Sequence, residues 1–543
     1  MNRYILIFIT IVILALSGCK SSLQDIIAET KEATLTVYTF DEYGSPLGSG
    51  SAFFIDKNGT GITNFHVLDG ATKATVKMAD GTELEIDSVI SSNRKKDIVK
   101  FVVRNPEKKN FKYLRFAKTV PQQGDKIYNI SAPMGLEHTF SDGVVSATRS
   151  DSHGEVIQIT APISPGSSGS AIINEDGYVV AVATYLMKGG QNLNFGVRLN
   201  DELLSLITEN DFVKRNSKFN SKDNFIILNV ASETNPNIRL NAIEFKKDAT
   251  IAYFSYTNLD MTVPEFQIYL PLNKGDKGFQ LSDIEKGQKY DIVSSSIGAD
   301  RKEADIVPLA STKQFKVYFP KIKDVSSLST IELTEPSKGW KFKDINLDNY
   351  RHSLAYDMEG FQKNYAYSCM HEGDLDTPYG VFSQILEDNP DDEDALNALG
   401  IISYVQGNKK DAFDLFTQAI ESHPSSATGY NNRAYLYADE QQMDKALADF
   451  KKSIGIDPSG DNYLKRAGLY IAMQNWKNAT DDLNKALTTE KYKDDAGTIC
   501  LRAICAMQLG NRQQAIDDFQ KAYKLTDDPE LERQIENYYD LIE

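Results

Sequence analysis

Small residues recur through the last third of this chain at a spacing that stacked helix pairs satisfy. Gly400, Ala434, Ala467 and Ala503 stand 34, 33 and 36 residues apart. Twelve positions after each comes an alanine: Ala412, Ala446, Ala479 and Ala515. Four further on lie Phe416, Phe450, Leu483 and Phe519, and Pro424 and Pro458 end the second helices of two repeats. An earlier, degenerate copy is read over 357–390, with Phe382 in phase. One such helix pair cannot bury its apolar face alone, so the pattern demands an all-α solenoid, here over 355–543.

The 543 residues exceed one ordinary core, so the chain is multidomain. Residues 34–199 alternate apolar and polar positions in about a dozen short runs, with glycines between them. Ala74–Met78 and Leu84–Ile86 flank Asp80-Gly81, as the arms of a hairpin would. This all-β pattern suits a pair of barrels or a sandwich. Helices are expected at 23–33, with Leu23, Ile26 and Ile27 on one side, and at 200–209. The polar run 211–223 reads as a linker. A second β-rich, sandwich-like domain follows over 224–350, and its sequence carries no readable chemistry.

Net charge is −17, of which −15 lies in residues 371–543 with 32 acidic and 17 basic side chains. This excludes a nucleic-acid binder, which needs a basic face. Residues 1–18 form a basic start and an apolar run from Ile5 to Leu16, too short to span a bilayer comfortably and suited to a secretory signal. Leu16-Ser17-Gly18-Cys19 resembles the lipobox of bacterial lipoproteins. That resemblance implies cleavage before Cys19, lipidation of its thiol, and a chain anchored to a cell-envelope membrane, facing the periplasm or exterior. Cys369, Cys500 and Cys505 fall in helical stretches and read as buried free thiols. No histidine or cysteine spacing suggests a metal or cofactor.

Three residue types that can activate a hydroxyl nucleophile occur in the order His, Asp, Ser. His66 stands in Thr63-Asn64-Phe65-His66-Val67, Asp97 in Lys96-Asp97-Ile98-Val99, and Ser168 in Pro165-Gly166-Ser167-Ser168-Gly169-Ser170. A neutral serine needs a base, and the base needs a carboxylate to fix its tautomer. Glycines beside the serine let backbone amides turn toward a developing oxyanion.

These motifs, with Gly48-Ser49-Gly50, Pro133-Met134-Gly135-Leu136 and Gly143-Val144-Val145-Ser146, resemble the chymotrypsin-like serine proteases of the HtrA/Deg branch over residues 30–210, within a domain read as 19–210. The resemblance implies a double-barrel fold with His66 as general base, Asp97 as its orienter and Ser168 as nucleophile. It places the oxyanion hole at the Gly166 and Ser168 amides. Asn194, Phe195 and Gly196 fall on the strand that walls the specificity pocket and pairs with the substrate backbone. Pro162 stands where trypsin-type enzymes carry an acid, so the pocket is expected to take apolar side chains. Ser167 and Ser170 depart from the family pattern, which has Asn or Asp and a second Gly there, and no PDZ-like loop follows residue 210. The repeats resemble tetratricopeptide repeats, which implies a groove for a protein or peptide ligand. The combined expectation is an envelope-anchored serine endopeptidase acting on polypeptides. The alternative is a protease fold kept as a non-catalytic binding platform.

Overall fold

The computed structural model describes residues 22–131, 139–151, 154–163, 166–186, 194–214, 224–275, 278–300, 302–335, 339–351, 358–370, 373–489, 491–526 and 529–542. The signal and lipobox residues, Cys19 included, and Pro133 to Leu136 lie outside them. The chain divides into two compact units, one within residues 1–223 and one spanning 224–350 and 356–543.

The first unit begins with the helix Leu23–Ala33. Ser22 and Asp25 cap it reciprocally, each side chain bonding the other's backbone N–H. Ile26 and Ala33 are buried, but Leu23 is exposed, so the three expected apolar residues do not all face inward. Twelve antiparallel strands follow among the described residues. The first six are β1 (Thr34–Phe40), β2 (Pro46–Phe54), β3 (Thr60–Thr63), β4 (Lys73–Met78), β5 (Glu83–Asn93) and β6 (Ile98–Val103). They close into a barrel of order β1-β2-β3-β6-β5-β4. Asp80-Gly81 does join β4 to β5, with Gly81 at φ +83°.

The second barrel uses β7 (Lys126–Ser131), β8 (Thr139–Asp151), β9 (Gly154–Ile159), β10 (Ala171–Asn174), β11 (Val179–Leu186) and β12 (Asn194–Arg198), in the order β10-β11-β12-β9-β8-β7. Each barrel fills its interior with alternating apolar residues, such as Leu35, Val37, Phe54 and Phe101 in the first and Ile127, Ile157 and Ile172 in the second. A third cluster takes Phe53, Ile62 and Ile98 from one barrel and Tyr128, Ile173 and Val182 from the other, so the two share an apolar seam.

Two expectations need correction. The helix expected at 200–209 is only the turn Asp201–Ser205, capped by Asn200. The run taken as linker does not start at 211. Asp211–Lys214 is a helical turn held to the first barrel: Asp211 N–H donates to Ser92 Oγ at 2.8 Å, and Arg94 N–H donates to the Asp211 carboxylate at 2.8 Å. Phe212 is buried 4.7 Å from the Phe65 ring, ending in a core rather than in solvent.

In the second unit, a five-stranded sheet of order β13-β14-β15-β21-β19 uses β13 (Phe225–Ala231), β14 (Ile238–Phe245), β15 (Ala249–Asn258), β19 (Ser294–Ser295) and β21 (Ser311–Pro320). A four-stranded sheet of order β18-β17-β22-β23 uses β17 (Gln280–Asp283), β18 (Gln288–Asp291), β22 (Thr330–Glu335) and β23 (Trp340–Asn346). Phe254 and Phe315 of the first sheet, Phe342 of the second and Phe279, just before β17, join one aromatic core, which makes this a sandwich. A small pair, β16 (Glu265–Ile268) and β20 (Asp305–Pro308), lies beside them.

The repeat helices follow the sequence period. Glu393–Val405 pairs with Lys409–Ser422, Ala427–Asp439 with Met443–Ile456, Gly460–Ala472 with Trp476–Leu487, and Ala496–Gln508 with Arg512–Leu525. All twelve phased residues are buried, and so is Phe382 in the preceding helix Asp376–Asp388. The small position is required at Gly400, where an added Cβ would sit 2.3 Å from the Phe416 ring. Arg433, Arg466 and Arg502 make fork-shaped pairs with Asp449, Asp482 and Asp518, one in each of three repeats. In the first repeat the corresponding positions are Leu399 and Leu415, which pack in an apolar cluster. Cys500 and Cys505 are buried and form no disulfide, and burial pushes the Cys500 thiol up to about 11. Cys369 also forms no disulfide, but it is partly exposed, contrary to the expectation for all three.

The sandwich and the solenoid pack together. Met261, just after β15, is buried with Ile401, Ala412, Phe416 and Leu436 of the repeats. Asp260 pairs with Lys465 at 3.2 Å, and Thr312 Oγ1 donates to Tyr367 O at 2.7 Å.

Candidate active site

His66 lies on the one-turn helix Phe65–Leu68, which leaves β3 at Asn64. Val67 and Leu68 bury that turn in the first barrel, leaving the imidazole about half exposed. Asp97 lies just before β6 with φ +54°, a left-handed conformation that Asp tolerates better than most residues. That turn aims the whole residue back at the His66 helix. The Asp97 carbonyl accepts from Phe65 N–H at 3.1 Å and from Asn64 Nδ2 at 2.8 Å. Its carboxylate accepts from His66 N–H at 2.9 Å and lies 2.7 Å from His66 Nδ1. The imidazole is therefore held at ring and backbone by one carboxylate, with Nε2 pointing elsewhere.

Ser168 comes from the second barrel, in the turn before β10. Gly169 is the residue that lets this turn close, at φ +89° and with its Cα so near β2 that an added Cβ would meet Ser51 O at 2.1 Å. The turn is tied to both barrels. Ser51 N–H donates to Ser168 O at 2.8 Å, and Ser51 Oγ donates to Gly166 O at 2.8 Å. Gly169 N–H donates to Ala183 O at 2.9 Å. The N–H groups of Gly166 and Ser168 donate to no group among the described residues, while their carbonyls are engaged.

The Ser168 hydroxyl does not bond His66. It donates to Thr184 O at 3.4 Å, a long contact that leaves it weakly held. Thr184 Oγ1 in turn accepts from Asn64 Nδ2 at 3.2 Å, so β11 bridges the residue before the histidine turn and the nucleophile candidate. Neither Thr184 nor Ser51 was singled out from sequence. Their only signal is a hydroxyl in a largely apolar strand.

The two departures from the family pattern have structural jobs. Ser170 is fully buried, with Oγ donating to Asn129 Oδ1 on β7 at 2.7 Å. Ser167 is buried as well, its Oγ 3.1 Å from Ser131 Oγ. Both fasten the turn to the second barrel, Ser170 with a bond that a glycine could not make.

The strand expected to pair with the substrate lies inside the second barrel. Asn194, Phe195 and Gly196 lie on β12, which pairs with β9 on one edge and β11 on the other over residues 194–197. Its backbone is thus already used within the barrel. Asn194 Nδ2 donates to Ala161 O at 2.8 Å, Phe195 packs in the seam, and Gly196 lies against Ile172 and Ala181. Pro162 is exposed.

Comparison with known proteins agrees with this architecture. Residues 50–182 match the model of the trypsin-like peptidase domain, and residues 380–427, 404–461 and 496–529 match models of the tetratricopeptide repeat. Protease Do-like 1, chloroplastic, of Arabidopsis thaliana is 32% identical over 155 residues, 27% of this chain and 35% of that protein. Putative serine protease HhoB of Synechocystis sp. is 31% identical over 176 residues, 31% of this chain and 41% of that protein. Periplasmic serine endoprotease DegP of Escherichia coli K12 is 30% identical over 169 residues, 30% of this chain and 35% of that protein. The chain thus spans less than half the length of each relative. The first unit carries a trypsin-like double-barrel peptidase domain homologous to the HtrA/Deg serine proteases, and tetratricopeptide repeats form the C-terminal part.

Proposed function

We propose that this protein is a serine endopeptidase of the cell envelope. His66 is the general base, Asp97 fixes its tautomer, Ser168 is the nucleophile, and the Gly166 and Ser168 amides bind the oxyanion. The observation that carries this reading is the double grip of Asp97 on His66, at 2.7 Å on Nδ1 and 2.9 Å on the backbone N–H. It holds the Nδ1–H tautomer and leaves Nε2 free to take a proton. Rotation about the Ser168 Cα–Cβ bond moves Oγ off Thr184 O and toward Nε2. Oγ then attacks the peptide carbonyl as its proton passes to Nε2. The carbonyl electrons move onto oxygen, which meets the two unengaged amides. Collapse expels the amine with that proton and leaves an acyl-enzyme. Water, deprotonated by His66, releases the acid.

The relatives' names, serine protease and periplasmic endoprotease, support the activity and the compartment. The lipobox supports a lipid anchor at Cys19, and the repeats support recruitment of a polypeptide substrate or regulator. A Cys19→Ala chain is expected to leave the membrane fraction. One observation favours the second reading, a non-catalytic platform: the Ser168 hydroxyl rests on Thr184 O instead of His66. A serine-directed fluorophosphonate separates the two. Labelling of the wild type, lost in Ser168→Ala and accompanied by loss of casein cleavage, supports the peptidase. A wild type that neither labels nor cleaves supports the platform.

A further inference from the structure

The first unit carries a strip of exposed side chains beside the helix Leu23–Ala33. That helix lies on the second barrel by burying Ile26 and Ala33 among Leu114, Phe116, Tyr128 and Val179. Ile26 meets Gly177 in the turn between β10 and β11, where an added Cβ would stand 3.4 Å from Ile26 Cγ2. Tyr178 follows in the same turn. Alongside runs the segment 113–117: Val179 N–H donates to Arg115 O at 2.8 Å, and Ala117 N–H donates to Val179 O at 2.8 Å. Its buried members, Leu114 and Phe116, alternate with Tyr113 and Arg115, which are exposed. Arg115 lies over the Tyr113 ring, 5.8 Å from its centroid. Leu23, one helical turn before Ile26, is 41% exposed, Tyr178 41% and Tyr113 39%. Three large apolar or aromatic side chains thus stand in solvent along one line of neighbours.

The strip is also basic. Residues 108–124 hold five cations and no acid. Of these, Lys112, Arg115 and Lys118 are exposed and make no ion pair among the described residues. Among the neighbouring acids, Asp25 is tied to Ser22, and Glu175 pairs with Lys126 at 3.9 Å. Asp176 also stands in the turn, one negative charge against three positive. Tyrosines with an apolar ring and a polar tip, interleaved with long cationic side chains, match the boundary between water and an anionic bilayer. Chain length sets how far this strip can stand from such a boundary. Ser22 caps the helix, and Cys19 is three residues before it. Three residues of fully extended chain span at most about 11 Å. An acylated Cys19 therefore keeps the start of the helix within that distance of the headgroups. One acyl chain alone holds only marginally, and a basic surface beside it supplies a second attraction.

We propose that this strip is the face by which the first unit lies on an anionic lipid bilayer. Leu23, Tyr113 and Tyr178 enter the interface, and Lys112, Arg115 and Lys118 meet the headgroup phosphates. The orientation on the membrane rests on the acylation of Cys19 proposed above; the affinity of the strip for anionic lipid does not.

Two experiments keep these apart. The mature chain from residue 19, carrying Cys19→Ser so that it cannot be acylated, is sedimented with vesicles of phosphatidylcholine and with vesicles of phosphatidylcholine and phosphatidylglycerol. Partition to the anionic vesicles alone is expected. It should fall about a hundredfold when Lys112→Gln, Arg115→Gln and Lys118→Gln are combined, roughly a factor of five for each cation near the surface. No preference for the anionic vesicles, or an unchanged partition in the folded triple variant, overturns the proposal. In the acylated chain, Tyr178→Trp is read in vesicles of brominated phosphatidylglycerol. The native tryptophans, Trp340 and Trp476, both lie in the second unit, and the wild type gives their background. Quenching of the added emission by the brominated lipid is expected. Added emission that the lipid leaves untouched and aqueous iodide quenches overturns the orientation. A mature chain whose mass shows no acyl group at Cys19 also overturns the orientation, and sedimentation still decides the affinity of the strip.

Discussion

Replacing Asp97 by Asn tests the proposed base without disturbing the fold. Asn adopts the left-handed φ of +54° as readily as Asp, and its Oδ1 can still accept from His66 N–H. At the second contact, now 2.7 Å from His66 Nδ1, the carboxylate oxygen becomes an NH₂ donor. A donor there requires Nδ1 to be the acceptor, so the ring proton moves to Nε2. The nitrogen that should take the Ser168 proton is then already protonated. For a Ser-His-Asp triad this wrong tautomer costs roughly 10⁴ in kcat, or about 5 kcal/mol of transition-state stabilisation. The assay is kcat/KM on an internally quenched peptide, with thermal unfolding as the check on folding. A folded Asp97→Asn enzyme within tenfold of wild type would refute the assigned role. His66 would then be oriented by something other than the Asp97 carboxylate.

Three further outcomes are expected. Gly169→Ala meets Ser51 O at 2.1 Å and a φ of +89°, so it should lose at least about 2 kcal/mol in denaturant titration and most of its activity. Asp482→Ala leaves Arg466 half-buried and unpaired, at a cost of about 3 kcal/mol. The double change Arg466→Leu with Asp482→Leu should lie near wild type, because Leu399 and Leu415 occupy those positions in the first repeat. Burial pulls the Asp260 carboxyl up, but Lys465 and the Thr262 hydrogen bonds outweigh it and hold its pKa below the ordinary value. Its stabilising contribution is therefore complete above the unfolded pKa of about 3.9 and lost as pH falls through the lower folded value. Asp260→Asn should flatten the acid limb of the stability curve, read by far-ultraviolet circular dichroism against pH.

The parts legible in the sequence are those set by local rules. The helix pairs follow from small residues at contacts such as Gly400 against Phe416, which recur with the period. The strands follow from short apolar runs between glycines, β6 and β7 among them. His66, Asp97 and Ser168 stand out through their neighbours in the chain. What was not legible depends on distant contacts. Phe212 is one apolar residue in a polar run, and only the position of Phe65 makes it core. Met261 leaves no periodic trace because it enters the repeats from a loop. The strand carrying Asn194 to Gly196 was read by motif, yet which edges stay open depends on the neighbours of β12. The turning of Ser168 onto Thr184 O is a rotamer choice that no spacing encodes.

Ser51 ties the nucleophile turn of the second barrel to a strand of the first through its amide and its hydroxyl. The knot joins positions more than a hundred residues apart, with β12 needed to close the later barrel. A chain emerging from the ribosome, or threaded unfolded through a membrane pore, therefore exposes its histidine and aspartate long before its serine can take its place. Until both barrels have closed, Gly166 has no hydroxyl partner holding its carbonyl, and the two amide donors have no fixed direction. The proposed hydrolytic site is then complete only at the last step of folding, in the compartment where folding finishes.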